Sequence, residues 1–288
     1  MRLRKRVKRF SIYVGVVLLL SCARVLPRRV TQSLLLSLGF LLFFLWKKVR
    51  MTMVTNLQKV YGDLIDARRF AFHTVMNLSR NVADFLSLPR MTDEEFEDFI
   101  TVEGSTNVNR ALATGRGIIA IGCHLGAWEL IPAYFSQKGY RVNVVSRDFY
   151  DGRVGKAIDR IRESRGTQII RREGSLTRVV RALKRGECVA VLIDQHTGTK
   201  GVWIDFMGRP AYAPLGVAVL AQQTGSVLLP VAIHRNSRGH TIMVDPPFFL
   251  DDSDLSEGVE RCSKAVEKFI TRYPKEWVWM HDRWRDYS

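Results

Sequence analysis

A histidine at the end of an apolar run, with a carboxylate five positions on, is the pair in this chain best suited to moving a proton. The run is Ile118-Ile119-Ala120-Ile121, and the pair lies in Gly122-Cys123-His124-Leu125-Gly126-Ala127-Trp128-Glu129. An imidazole titrates near neutrality and can take a proton from a hydroxyl, while a neighbouring carboxylate fixes its tautomer and stabilises the imidazolium. Residues five apart point ~140° from each other on a regular helix. The two therefore meet only if His124 sits in a loop or N-cap ahead of the helix proper. The expectation is a buried strand over 117–123, His124 at its end as general base, and Glu129 as the acid that orients it. A buried histidine satisfied by a local acid is the plain structural alternative.

Other chemistry finds little support. Gly115-Arg116-Gly117-Ile118-Ile119-Ala120 fits Gly-x-Gly-x-x-Ala but precedes a strand instead of following one, which excludes a dinucleotide site. Gly155-Lys156 lacks the rest of a P-loop, no Gly-x-Ser-x-Gly elbow is present, and no His-Glu-x-x-His spacing suggests a metal. Cys22, Cys123, Cys188 and Cys262 form no Cys-x-x-Cys pair, which suits a reducing compartment. Cys123 adjoins His124, yet strand neighbours face opposite ways, so its side chain belongs in the core. With no protein nucleophile in view, direct attack by a substrate hydroxyl fits these residues better than a covalent intermediate.

The His124–Glu129 segment resembles the His-x4-Glu motif of the lipid A biosynthesis acyltransferases, members of the wider lysophospholipid acyltransferase superfamily. The resemblance continues through Ser146-Arg147, Arg165-Gly166, Leu183-Lys184-Arg185-Gly186, Asp194-Gln195, Gly201 to Pro210, Leu229-Pro230-Val231 and the tail Tyr273 to Trp284. Ala127 departs from the asparagine common at that place. The resemblance implies a glycerolipid-acyltransferase-like α/β fold and transfer of an acyl chain from a thioester to a lipid hydroxyl, with His124 and Glu129 as catalytic dyad. It implies acyl carrier protein (or acyl-CoA) as donor, a phosphorylated lipid A precursor as acceptor, and no cofactor beyond the thioester co-substrate. A lysophospholipid or another glycolipid stays open as acceptor, and a non-catalytic lipid-binding protein is the alternative from another class. Arg147, which closes a strand and matches the family's arginine there, is the sharpest basic candidate, and Arg209, in Gly208-Arg209-Pro210, is placed to grip phosphate in two-pronged fashion. Arg165, Asp194, Gln195, Gly208 and Pro210 join them as substrate-binding candidates, and Arg209→Lys is expected to impair phosphorylated substrates ~10-fold, the scale of one charge-assisted contact.

Charge placement points to a membrane. Of 44 basic residues, 12 fall within residues 1–50, where no Asp or Glu occurs; the rest of the chain carries 32 basic and 28 acidic residues. These charges bracket two apolar runs, Phe10 to Ala23 and Leu34 to Trp46, both short for a span of roughly 17–25 residues. A nucleic-acid-binding arm has no use for such runs, whereas an anionic membrane surface attracts each nearby Lys or Arg by ~1 kcal/mol. Two in-plane helices, or a hairpin turning at Pro27, would keep every basic flank on one face, which the positive-inside rule makes cytoplasmic. The expectation is an anchor over residues 1–50 of a bacterial inner membrane, and a body over 51–288 that removal of the anchor would set free. A lipoprotein-type leader ending at Leu19-Leu20-Ser21-Cys22 is the rival reading, disfavoured by the second flanked run. A further basic stretch runs from Arg141 to Arg185, part solvated helix face and part attraction for acidic carrier and phosphorylated lipid.

Helical spacing over residues 51–88 predicts two helices broken near Gly62-Asp63, and Thr92-Asp93-Glu94-Glu95 predicts an N-cap. From Gly117 strands at 117–123, 141–146, 167–170, 188–193, 226–233 and 241–245 alternate with helices at 127–137, 153–164, 174–185, 213–223 and 255–271. Such alternation predicts an α/β fold with a mainly parallel or mixed sheet flanked by helices, and reactive groups at the strands' carboxyl ends.

Overall fold

The structure, a computed structural model, describes residues 2–146, 151–171, 174–196, 198–250 and 254–285, with side chains from residue 13 onward. Four helices come first: α1 (Arg2–Val25), α2 (Arg28–Leu45), α3 (Lys47–Tyr61) and α4 (Ala67–Ser87). Pro27, at φ −53° and ψ 146°, turns the chain between the first two, because proline restricts the backbone and cannot continue a helix. The break at Gly62 is real, with φ +56° there and the Asp66 side chain capping α4 at the Arg69 N–H, 2.9 Å away. Thr92 and Glu95 form a reciprocal capping box at the start of α5 (Asp93–Asp98).

The sheet then grows from β1 (Ile100–Glu103), followed by α6 (Ser105–Ala113), β2 (Ile118–Gly122), α7 (Leu130–Gln137), β3 (Val142–Ser146), α8 (Gly152–Glu163), β4 (Gln168–Arg171), α9 (Ser175–Lys184) and β5 (Cys188–Leu192). A separate hairpin, β6 (Gly201–Phe206) and β7 (Arg209–Pro214), precedes α10 (Gly216–Thr224), β8 (Val227–Arg235), β9 (His240–Val244) and α11 (Leu255–Arg272). Strand order is β1-β9-β8-β2-β5-β3-β4, parallel except where β8 and β9 form an antiparallel pair. All five residues of β2 are buried, as a central strand covered on both faces requires. The expected α/β fold is present. The short edge strand β1 and the β6–β7 hairpin are additions to the predicted elements.

The first two helices are built into the body. One stripe of α2 (Thr31, Leu35, Gly39, Phe43) is buried, and Gly39 lets it approach α4 so closely that a Cβ there would run into Ser79 Oγ. Phe43 meets Phe72 of α4 edge-on at 5.4 Å between ring centroids. The remaining faces expose Leu34, Leu38, Phe40, Leu41, Leu42, Phe44 and Leu45, and α2 is long and apolar enough to cross a membrane. Removing residues 1–50 would therefore bare the face of α4 on which α2 packs.

Candidate active site

Register brings the two reactive groups together. In the parallel β2–β5 ladder Gly122 stands opposite Leu192, and each chain continues two residues further, to His124 and Asp194. Both thus emerge at the carboxyl edge of the central strands, where open α/β sheets gather their ligands. His124 Nδ1 lies 2.8 Å from Asp194 Oδ1, and the His124 backbone N–H donates to Asp194 Oδ2 at 2.9 Å. The indole N–H of Trp277 donates to the same oxygen at 2.7 Å. Asp194 is fully buried, and the His124 side chain keeps 24% of its surface exposed.

The loop around His124 is held from behind. Its carbonyl accepts the Val278 N–H at 3.1 Å, and the Gly126 N–H donates to the Glu276 carbonyl at 3.1 Å. Gly126 adopts φ +58° with its Cα against the Ile233 carbonyl, where a Cβ would collide, so only glycine fits there. Trp128 meets the imidazole edge-on at 5.1 Å. Cys123 is buried as expected, its thiol held well above its ordinary range by burial and the Asp194 charge, which leaves it inert.

Asp194, in place of the expected Glu129, is the carboxylate bonded to His124. Glu129 stands at the N-terminus of α7 and is gripped by Arg162, whose Nε donates to Oε2 at 2.8 Å while a terminal nitrogen reaches Oε1 at 2.5 Å. Arg162 also donates to Ser146 Oγ at 3.0 Å. Burial lowers the His124 pKa, but the Asp194 charge and hydrogen bond, with the Glu129 charge behind them, more than offset it, and the net direction is upward. Glu129 thus acts on the imidazole through space. With Nδ1 committed to Asp194, Nε2 is the ring nitrogen left to accept a proton.

The other sequence candidates divide. Arg147 lies outside the described residues. Gln195 follows Asp194 at the site. Arg165 sits between α8 and β4, on the opposite edge of the sheet from His124, where it donates to the Leu88 and Met91 carbonyls, Asp93 and Gln137. It is a strut, corrected from substrate-binding candidate by its place in the topology. Gly208 (φ +74°), with Met207 (φ +55°), forms the tip of the β6–β7 hairpin, a two-residue turn that needs positive φ at both positions. Pro210 pairs with Asp205, and Arg209 Nε donates to the Lys59 carbonyl at the end of α3. Arg209→Lys is accordingly expected to cost ~1 kcal/mol of stability and to change turnover by no more than a few-fold. Thermal unfolding and initial rates check this, and a ten-fold loss confined to phosphorylated substrates would restore the recognition role.

The basic stretch after Arg141 is partly neutralised, since Arg153 pairs with Asp151, Arg171 with Asp159, and Arg185 with Glu187. Sequence reasoning missed three contributors: Asp194 as orienter, Trp277 as its second donor, and Arg162 as partner of Glu129. The Asp194 signal was present in the equal two-residue overrun of adjacent strands, whereas nothing local announced Trp277. Among the described residues no group of three or more His, Cys, Asp or Glu could hold a metal ion.

An apolar cavity of about 310 Å³ lies against the sheet, lined by Ile118, Ala120, Ile131, Phe135, Ala190 and Val231, with Arg141, Arg185 and Glu187 at the amino edge. Its volume falls at the lower end of the ~300–1,000 Å³ range of ligand pockets.

Comparison with known proteins gives this geometry its context. The phosphatidylinositol mannoside acyltransferase of Mycobacterium tuberculosis (strain CDC 1551 / Oshkosh) is 25% identical over 188 residues, 64% of this chain and 59% of that protein. The lipid A biosynthesis palmitoleoyltransferase of Escherichia coli (strain K12) is 25% identical over 203 residues, 67% of this chain and 64% of its own length. The chain thus spans less than two thirds of either relative. Among solved structures, the 1-acyl-sn-glycerophosphate acyltransferase PlsC from Thermotoga maritima overlays loosely, with a TM-score of 0.42 and 15% identity over 87% of this chain and 99% of that one. The family model described as bacterial lipid A biosynthesis acyltransferase matches residues 2–286, and the chain belongs to that family.

Proposed function

We propose that this protein is an O-acyltransferase in which His124, oriented by Asp194, activates a hydroxyl of a membrane glycolipid toward an acyl thioester. The observation that carries the reading is the division of one partly exposed imidazole: Nδ1 bonded to a buried carboxylate, Nε2 left to act. As the acceptor oxygen bonds to the thioester carbonyl carbon, Nε2 takes its proton. The carbon–sulfur bond then breaks, and the imidazolium returns that proton to the departing thiolate. The acyl donor is acyl carrier protein or acyl-CoA, and the exposed cations Lys156, Arg160, Arg178, Arg181 and Lys184 suit either acidic partner. A lipid A precursor is the acceptor that family membership favours. A mannosylated phosphoinositide is the second reading, favoured by the mycobacterial relatives, and both share a phosphorylated sugar-bearing lipid. The exposed apolar faces of α1 and α2 lie in the inner membrane, with the active site on the cytoplasmic side where thioesters are made.

The test pairs acyl carrier protein and coenzyme A thioesters with a Kdo-bearing lipid A precursor, a phosphoinositide mannoside and a lysophospholipid. Transfer to a sugar-bearing acceptor, abolished by His124→Ala, is the expected result. Transfer to none, or undiminished transfer by His124→Ala, would overturn the reading.

The apolar cavity takes the acyl chain in this scheme. Ala120 and Ala190 line it on neighbouring strands, so a larger side chain there shortens the space. Ala120→Leu is expected to shift preference toward donors a few carbons shorter, with discrimination of ~10–200-fold per misfit methylene. Competition between thioesters of graded length, resolved by mass spectrometry, reads the shift. An unchanged preference in both Ala120→Leu and Ala190→Leu would place the chain elsewhere.

A further inference from the structure

A second, charged cleft lies at the turn between α1 and α2, away from the acyl cavity. Its volume is about 470 Å³, and its charged lining is Arg28, Arg90, Arg238, Glu95 and Asp98. The cleft is built from fixed parts. Arg28 donates through Nε to Asp84 at 2.8 Å and lies 4.0 Å over the Phe99 ring, so its remaining nitrogens are presented in one orientation. Arg90 clamps the end of α1 by donating to the Ala23 carbonyl at 3.2 Å and to the Leu26 carbonyl. Arg238 enters from the β8–β9 turn, held by its backbone N–H on Asn236 Oδ1 at 2.8 Å, with an exposed side chain. Glu95 and Asp98 come from α5, where Glu95 is partly committed to the Thr92 cap.

On the proposed placement of α2 in the bilayer, the cleft lies at the membrane surface. Pro27 and Arg28 open the apolar helix α2, so the cleft sits at the level where that helix begins. Because β8 runs parallel to β2, its carboxyl end and the Arg238 turn share the sheet edge that carries His124. The β1 end of that edge bears Phe99 and completes the wall. Three guanidiniums alone would suit any phosphate, but two carboxylates in the same space would repel a purely anionic headgroup. A phosphodiester joined to a primary ammonium matches both signs, since guanidinium grips phosphate and carboxylate accepts from ammonium.

We infer that this cleft binds the phosphoethanolamine headgroup of a membrane phospholipid, which registers the catalytic edge against the bilayer. The inference stands apart from which acceptor the enzyme acylates, since none of the cleft residues belongs to the His124 site. Native mass spectrometry of the full chain in detergent tests it, with dioctanoyl lipids bearing phosphoethanolamine, phosphocholine or phosphoglycerol heads, and inorganic phosphate as competitor. The expected result is one phosphoethanolamine lipid retained about ten-fold more strongly than the choline lipid, whose quaternary ammonium donates no hydrogen bond. Arg238→Ala and Asp98→Asn should each weaken it by about ten-fold, while His124→Ala leaves it intact. Inorganic phosphate should displace it poorly.

Three outcomes would overturn the inference. One is equal retention of all three lipids. Another is phosphoethanolamine retention unchanged in both cleft variants. The last is phosphoglycerol preferred and tightened by Asp98→Asn, which would mark a simple anion site. Circular dichroism of the exposed-residue variant Arg238→Ala, expected to match the parent, separates lost binding from lost folding.

Discussion

His124→Ala is expected to lower kcat by ~10²–10⁴-fold, the usual contribution of a positioned general base, while the chain stays folded. The side chain is partly exposed and contributes little to the core, so unfolding is not the cause of such a loss. Asp194→Asn should fall within the same range: the amide has no charge to stabilise the imidazolium, and with its oxygen held by the His124 and Trp277 N–H groups its NH2 faces Nδ1 and favours the wrong tautomer. Its pH signature is the sharper readout. Asp194 raises the His124 pKa, and removing that charge lowers it, so the acid limb of kcat/KM should move to lower pH as the plateau drops. Glu129→Gln should move the limb in the same direction but by less, since Glu129 acts only through space and its charge is shared with Arg162. If Glu129→Gln shifts the limb further than Asp194→Asn, the assignment of Asp194 as orienter fails. The double variant His124→Ala/Asp194→Asn should be little worse than His124→Ala, because residues acting as one unit do not add.

The parts of the fold readable in advance were those governed by local period and punctuation. Alternating strand and helix segments after Gly117, the break at Gly62, the Thr92 cap and the turn at Pro27 each follow from short-range rules, and each is present. His124 was readable for the same reason, as an ionisable group left at the end of a buried strand. Its partner was not. Spacing within one segment suggested Glu129, whereas the ladder between two strands selects Asp194, seventy positions away. Strand order is a tertiary property, and resemblance and strand end offered Asp194 as a substrate-binding candidate, with nothing to pair it with His124. Trp277 was hidden more deeply, since it reaches the site from the chain's tail, beyond any element that periodicity defines. Arg165 failed in the opposite sense, since its neighbourhood suggested recognition but its connection returns the chain to the far edge of the sheet. The same distinction separates Arg209, whose turn chemistry was legible and whose hydrogen bond to α3 was not.

Asp84→Ala is expected to destabilise the chain by ~3–5 kcal/mol, the cost of removing one member of a buried ion pair. Asp84 has no exposed surface, and three basic side chains converge on it from different elements: Arg28 from α2, Arg235 from β8 and His240 from β9. Burial alone would push its carboxyl up, but the His240 hydrogen bond and the Arg235 and Arg28 charges more than offset that, and the net direction is down. A depressed carboxyl stabilises the fold above its unfolded pKa of ~3.9 and loses that contribution as pH falls through the folded value. The difference between the parent and Asp84→Ala should therefore be full at neutral pH and shrink in acid. Arg28→Ala should cost much less, because that side chain is 37% exposed and water replaces part of its interaction. At ~2–4 °C per kcal/mol for a chain of this size, the Asp84 change should lower Tm by roughly 6–20 °C, measured on the full chain in detergent. Limited proteolysis should follow the same order, with Asp84→Ala opening the Pro27 turn that Arg28 and Arg90 otherwise hold. If Asp84→Ala melts with the parent and its turn stays protected, α2 is held by its apolar stripe on α4 alone. The charged hub would then contribute nothing to joining α1 and α2 to the central sheet.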